Sequence, residues 1–294
     1  MTNTWDGVDC SSRKTSTASR WKRRDVPDRL ILQKLLNSAL ATAIVDTGDD
    51  QVGGYVTDAM AVVNLRTPQQ LLSAYGVEGA PQFVDVVRFE QPRLASLEPP
   101  DNAPRPWPTF PNGFLRGDSL ARIWSMSRTR YPYGSEYWRI RADGEQKVLS
   151  RYEGVARGWL NAKQWRPPSP MVGTLARWRG KEYFADIVSE TVHLTAITAD
   201  GPTGFQPVRA NVWSASIPLA ETEIFERIYT AELDGVPVRI LRTSGRTAEI
   251  LLLTDDPDHA QRIGAGLIEP GVYEIVVDTG RLSNVRGIEN QWAP

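Results

Sequence analysis

The hydrophobic and polar positions of this chain change rhythm along its length. Near the start, Ile31, Leu32, Leu35, Leu36, Ala39, Leu40 and Ala43 recur at helical spacing behind Pro27, a residue suited to a first helical position. They predict an amphipathic helix. Thr67-Pro68-Gln69-Gln70 has the form of a capping box with proline opening a second, short helix, which Gly76 would stop. Val56–Leu65 fits helix or strand, whereas Phe83–Glu90 alternates as a strand. Beyond this point strand patterns dominate. Glu136–Ala142 and Glu145–Tyr152 flank Asp143-Gly144, which predicts a hairpin with a type I′ turn. Further strands are expected at 175–178, 182–188, 191–198, 212–217, 224–233, 236–243, 247–254 and 271–277. Asp234-Gly235 and Ser244-Gly245 supply turns, and Asp256-Pro257 caps one short helix ending near Gly264.

These elements predict an α+β protein: a helical N-terminal part, a proline-rich connector, then mostly antiparallel β structure. The expected divisions are a disordered basic arm (1–25), a helical region (26–90), the connector (91–113), a basic aromatic hairpin region (114–170) and a β-rich domain (171–294). Seven prolines in 23 residues set the connector apart, because proline fixes φ and removes donors.

Within the last part a pattern recurs. Trp178-Arg-Gly180 aligns with Leu233-Asp-Gly235 at an offset of 55, and the same offset sets Asp200 on Asp255. Ile217–Ile224 meets Ile275–Leu282 after a slip of three residues. Either a β unit occurs twice or two β-meanders resemble each other by chance.

Charge sharpens the division. Residues 114–180 carry 13 Lys and Arg against five Asp and Glu, whereas 181–294 carry nine against 17, although the whole chain balances at −1. Such segregation concerns surface roles more than fold. Arginines outnumber lysines 28 to six, which suits forked and stacked contacts. A single cysteine, Cys10, excludes an intrachain disulfide, and with only His193 and His259 present no metal motif or cofactor is expected. No run of eighteen apolar residues occurs, so no membrane segment is expected and cytoplasmic residence is the default.

The candidate binding block is Trp124, Arg128, Arg130, Tyr131, Tyr133, Tyr137, Trp138, Arg139 and Arg141, five aromatics and four arginines in eighteen residues. That mixture suits a protein interface or a nucleic-acid platform, and equally a half-buried strand with solvated arginines. Glu221-Thr-Glu223 resembles the Glu-x-Glu of ADP-ribosyltransferases, with Ser214 and Ser216 before it and Arg177 or Arg179 upstream. The serines stand too close to the glutamates for that family's spacing, so the pair also reads as a solvated strand edge. His193 alternates on a strand and His259 sits among acidic residues. Neither has a nucleophile beside it in sequence. Gly201-Pro-Thr-Gly204 reads as a turn and not a phosphate loop.

Ala176-Arg-Trp-Arg-Gly-Lys-Glu-Tyr183, followed by Trp213-Ser-Ala-Ser-Ile-Pro218, resembles actinobacterial immunity proteins paired with secreted, NAD-hydrolysing, necrotizing-type toxins. The resemblance covers about residues 170–290, and the N-terminal third has no counterpart in it. It implies a stoichiometric, non-enzymatic binder that occludes a toxin, its acidic half suited to a basic partner surface. The alternatives are an NAD-using enzyme built on Glu221 and Glu223, or a nucleic-acid binder using the basic segment.

Overall fold

The computed structural model describes residues 30–75, 77–98, 123–254, 256–269 and 271–292. The expected basic arm and most of the proline-rich connector, like Gly76 and Asp255, lie outside them. The described chain is mostly antiparallel β structure with few short helices, arranged as two sheets.

The first sheet is formed by β1 (Ile31–Leu36), β2 (Gln51–Asp58), β3 (Phe83–Glu90), β4 (Leu97–Glu98), β5 (Ile123–Arg130), β6 (Glu136–Arg141) and β7 (Gln146–Arg151). Its strand order is β4-β5-β2-β1-β3-β6-β7. The helical N-terminal region expected from the sequence is therefore corrected: the first apolar stripe begins as a central strand. Leu32 and Leu36 enter a core on one face of β1, and Leu35 enters a second core on the other. A strand covered on both faces needs no strict alternation, so its apolar spacing imitates a helix. Helix follows only as α1 (Ser38–Thr42), capped by Asn37, and a π turn at Ala43–Thr47.

The second helix is as expected. In α2 (Pro68–Ala74) Thr67 and Gln70 cap each other, and Leu71 packs on the second core. The expected hairpin is β6–β7, but its turn differs. Gly144 at φ +87° closes back on Arg141 while Asp143 keeps a negative φ, so one further residue enters the loop and a type I′ turn is not formed. Strands from both sides of the 91–113 stretch share this sheet: β5 pairs with β2, and β6 with β3. The hairpin expected as a region of its own is part of the N-terminal sheet.

The second sheet has eleven strands and a repeated order of connections. First come β8 (Thr174–Trp178), β9 (Lys181–Val188), β10 (Thr191–Ile197), β11 (Gln206–Arg209) and β12 (Val212–Pro218), then a 3-10 turn and β13 (Glu223–Leu233). After it come β14 (Val236–Ser244), β15 (Thr247–Leu252), α3 (Pro257–Ile263), β16 (Gly266–Glu269), β17 (Val272–Asp278), another 3-10 turn and β18 (Leu282–Gln291). In each series a meander of three strands pairs its third with the fifth, the fifth with the fourth, and the closing strand with the first.

The register of this correspondence is finer than the sequence suggested. Arg179-Gly180 and Asp234-Gly235, 55 positions apart, both take positive φ at two successive residues, the type I′ requirement. A bulge after Ile240 adds one residue, so β10 and β15 start 56 apart. Four more residues in the connection holding α3 set Pro218 and Asp278 60 apart, not 58.

β13 belongs to both series. Its first residues pair with β8, its last with β14, and β18 runs along nearly all of it.

Candidate functional site

Most of the basic aromatic block is used inside the molecule. Arg128, Arg130, Tyr131 and Tyr137 are buried, Trp124, Trp138 and Arg139 partly so, and Tyr133 and Arg141 exposed. Strand alternation turns Arg128 and Arg130 from β5 toward the second sheet. There Arg128 pairs with Glu274, while Arg130 pairs with Asp50 at 3.2 Å and donates to the carbonyls of Ser169 and Val172. Arg239 donates to the Arg128 carbonyl at 2.6 Å and pairs with Glu226 at 3.0 Å. Lys34 reaches Glu269 at 2.7 Å across Gly54, where a Cβ would lie 1.9 Å from the carboxylate. Arg166 bridges Asp49 and Glu249.

These pairs form a seam between the two sheets. Burial pushes the Lys34 ammonium down and the Asp50 and Glu226 carboxyls up, and the opposite charges beside them only partly offset it. Such pairs add little net stability, yet losing one partner strands a buried charge.

Tyr131 is buried in the first core with Trp124 packed against it, and Tyr137, Trp138 and Arg139 lie on β6, toward the other edge of the first sheet. Tyr137 donates to Asp85 at 2.9 Å, Arg139 pairs with Asp85 at 2.8 Å and covers the Phe83 ring, and Arg88 covers the Trp138 ring. The arginines therefore do not line up as one free stripe among the described residues.

Glu221 and Glu223 separate in space. Glu221 ends the 3-10 turn, whereas Glu223 opens β13 with its side chain 72% exposed and 3.3 Å from Arg177. Arg177 also bonds Glu182 and Glu289. Glu223, Arg177, Phe225 and Trp292 rim a cavity of about 410 Å³; Ser214 and Ser216 open onto a different one. His259 is a half-buried α3 residue 3.6 Å from Asp256.

A cleft of about 800 Å³ lies in the first series. Trp178 at the end of β8 and Tyr183 on β9 line it, and Phe205 supports both rings at centroid distances of 6.3 and 5.0 Å. Arg179 stacks on Trp178, and Lys181 stands at the other end of the same turn. Neither makes an ion pair with another described residue. The opposite rim is the loop Asp200-Gly-Pro-Thr203, held by Trp213, whose indole donates to the Thr198 carbonyl. Gly201 is required there, since a Cβ would fall 2.4 Å from the Trp213 ring.

Sequence reasoning selected none of Trp178, Tyr183 and Phe205 as site residues. The signal was present in Ala176–Tyr183, but Phe205 arrives from beyond the third strand of the meander. No family model, curated protein or solved structure matches the chain.

Proposed function

We propose that this chain is a binding protein of the antitoxin type, which holds a partner protein at the aromatic cleft of β8–β10. We also infer that the two series of the second sheet are copies of one duplicated unit, the first kept open for binding and the second closed for support. The observation that carries the binding reading is the combination of buried rings and uncommitted charge at one cleft. Trp178 and Tyr183 offer rigid apolar floor, and Arg179, Lys181 and Asp200 offer charges that form no ion pair among the described residues. Rigid aromatic floors ringed by polar groups are how protein interfaces concentrate their binding energy. A small acidic loop of a partner fits the Arg179–Lys181 rim, while the acidic second unit complements basic surface beyond it.

The test is protection. Cells expressing a NAD-hydrolysing toxin encoded beside this chain's gene should survive when the chain is coexpressed, and the two proteins should copurify one to one. Exchanging both rim cations, R179E with K181E, should abolish protection without unfolding the chain. Absence of such a neighbour, or death of the cells despite soluble chain, overturns the antitoxin reading. A complex that survives the double exchange overturns the cleft.

A further inference from the structure

A second cavity, about 560 Å³, lies where the first unit meets the end of the first sheet, on the face of β10 opposite its apolar core. Strand pairing lays polar residues across its floor in two rows. Asp186, His193 and Ser216 stand directly opposite one another on β9, β10 and β12, and Thr195 stands opposite Ser214 in the next row. Residues opposite each other on adjacent antiparallel strands project to the same face. Tyr133 closes the mouth, edge-on to the His193 ring at 5.5 Å.

The polar groups do not satisfy one another. Thr195 is 1% exposed, and its hydroxyl has no hydrogen-bond partner among the described residues. Buried hydroxyls are otherwise nearly always paired. The His193, Ser214 and Ser216 side chains make no hydrogen bond to another described residue, and Asp186 uses one oxygen to accept from the Val155 N–H at 2.8 Å. Burial raises the Asp186 carboxyl to about 6 and lowers His193, so near neutral pH the floor holds a carboxylate and a neutral imidazole.

We infer that this cavity binds a small ring bearing adjacent hydroxyls, such as a sugar or the ribose of a nucleoside. Each ligand hydroxyl both donates and accepts, which three protein hydroxyls, an imidazole and a carboxylate answer in kind. Tyr133 offers an apolar wall for the ring face. The lining sets the Asp186 and Glu153 carboxylates against the single cation of Arg157, a balance that disfavours a phosphate in the same place.

The experiment is titration of the full chain with methyl α-glucopyranoside, adenosine and 2′-deoxyadenosine, followed by calorimetry and saturation-transfer NMR. Saturable binding of the glucoside or of adenosine is expected. Binding of the glucoside alone identifies a sugar site, and binding of adenosine alone a nucleoside site. In the latter case 2′-deoxyadenosine should bind about tenfold more weakly or worse, having lost one of the paired hydroxyls. The isosteric T195V and the surface change S216A should each weaken binding several-fold while circular dichroism stays unchanged. If neither diol saturates, the cavity holds only water and the inference fails. It fails equally if adenosine and its deoxy analogue bind alike, or if T195V, S216A and D186N all bind as the parent does.

Discussion

The two units of the second sheet share an order of connections and differ in what fills them. In the first, Trp178, Tyr183 and Phe205 line and support a cleft that stays open beneath the Asp200–Thr203 loop. In the second, Leu233 and Val238 occupy the positions of Trp178 and Tyr183, and α3 drops Ala260 into the core where the first unit has only a loop. The connection that holds α3 is four residues longer than its counterpart in the first unit. Glu269 and Glu274 of the second unit pair with Lys34 and Arg128 of the first sheet, whereas the first unit meets that sheet through Thr174, Phe184 and His193.

The strongest way to break this comparison is to detach the second unit. Glu269→Ala strands the Lys34 ammonium, 3% exposed, and should cost about 3–5 kcal/mol, read as a lower urea midpoint. A loss below about 1 kcal/mol would mean that the seam does not hold the units in place. Next, Leu233→Ala empties a fully buried site in the second unit and should cost about 2–5 kcal/mol without altering partner binding. Trp178→Leu copies the second unit's residue into the first, and is expected to weaken partner binding by more than its stability loss accounts for. Equal losses in both would make the first unit another closed core.

A pH experiment sharpens the picture on the side of the first unit. Asp186 is raised from 3.8 to about 6, so between these values the folded state holds a proton that the unfolded chain has released. Parent stability therefore falls as pH rises through that window. D186N should be more stable than the parent by at most about 3 kcal/mol near neutral pH and no more stable below the window, as thermal melts across pH will show. The smallest effect belongs to Lys181→Ala. It should leave stability within about 0.5 kcal/mol yet slow association with the partner, most clearly at low salt.

How much of this was legible in the sequence depended on the range of the forces involved. The capping box at Thr67, the helix from Pro257 to Gly264 and the strand Phe83–Glu90 rest on local propensity, and each formed where its residues predicted. The strand at Ile31–Leu36 did not declare itself, because the residues that share the cores on its two faces, such as Trp159 on one and Leu71 on the other, lie far along the chain. The arginines of the aromatic block looked like surface charge for the same reason. The carboxylate that meets Arg128 lies 146 positions away, and the one that meets Lys34 lies 235 away. Of the candidate site, the Trp178 and Tyr183 motif was visible, but no local pattern announces that Phe205 and the Gly201 loop would complete it.

The shared strand β13 has a consequence for how the molecule melts. With Glu223–Glu226 in one ladder and Tyr229–Leu233 in the next, and β18 spanning both, neither unit can release its closing strand without opening its neighbour. The pair should behave as one cooperative block, exchanging its core amides together and resisting proteases as a whole. A cut within β13 would leave two unfolded fragments in place of two smaller domains.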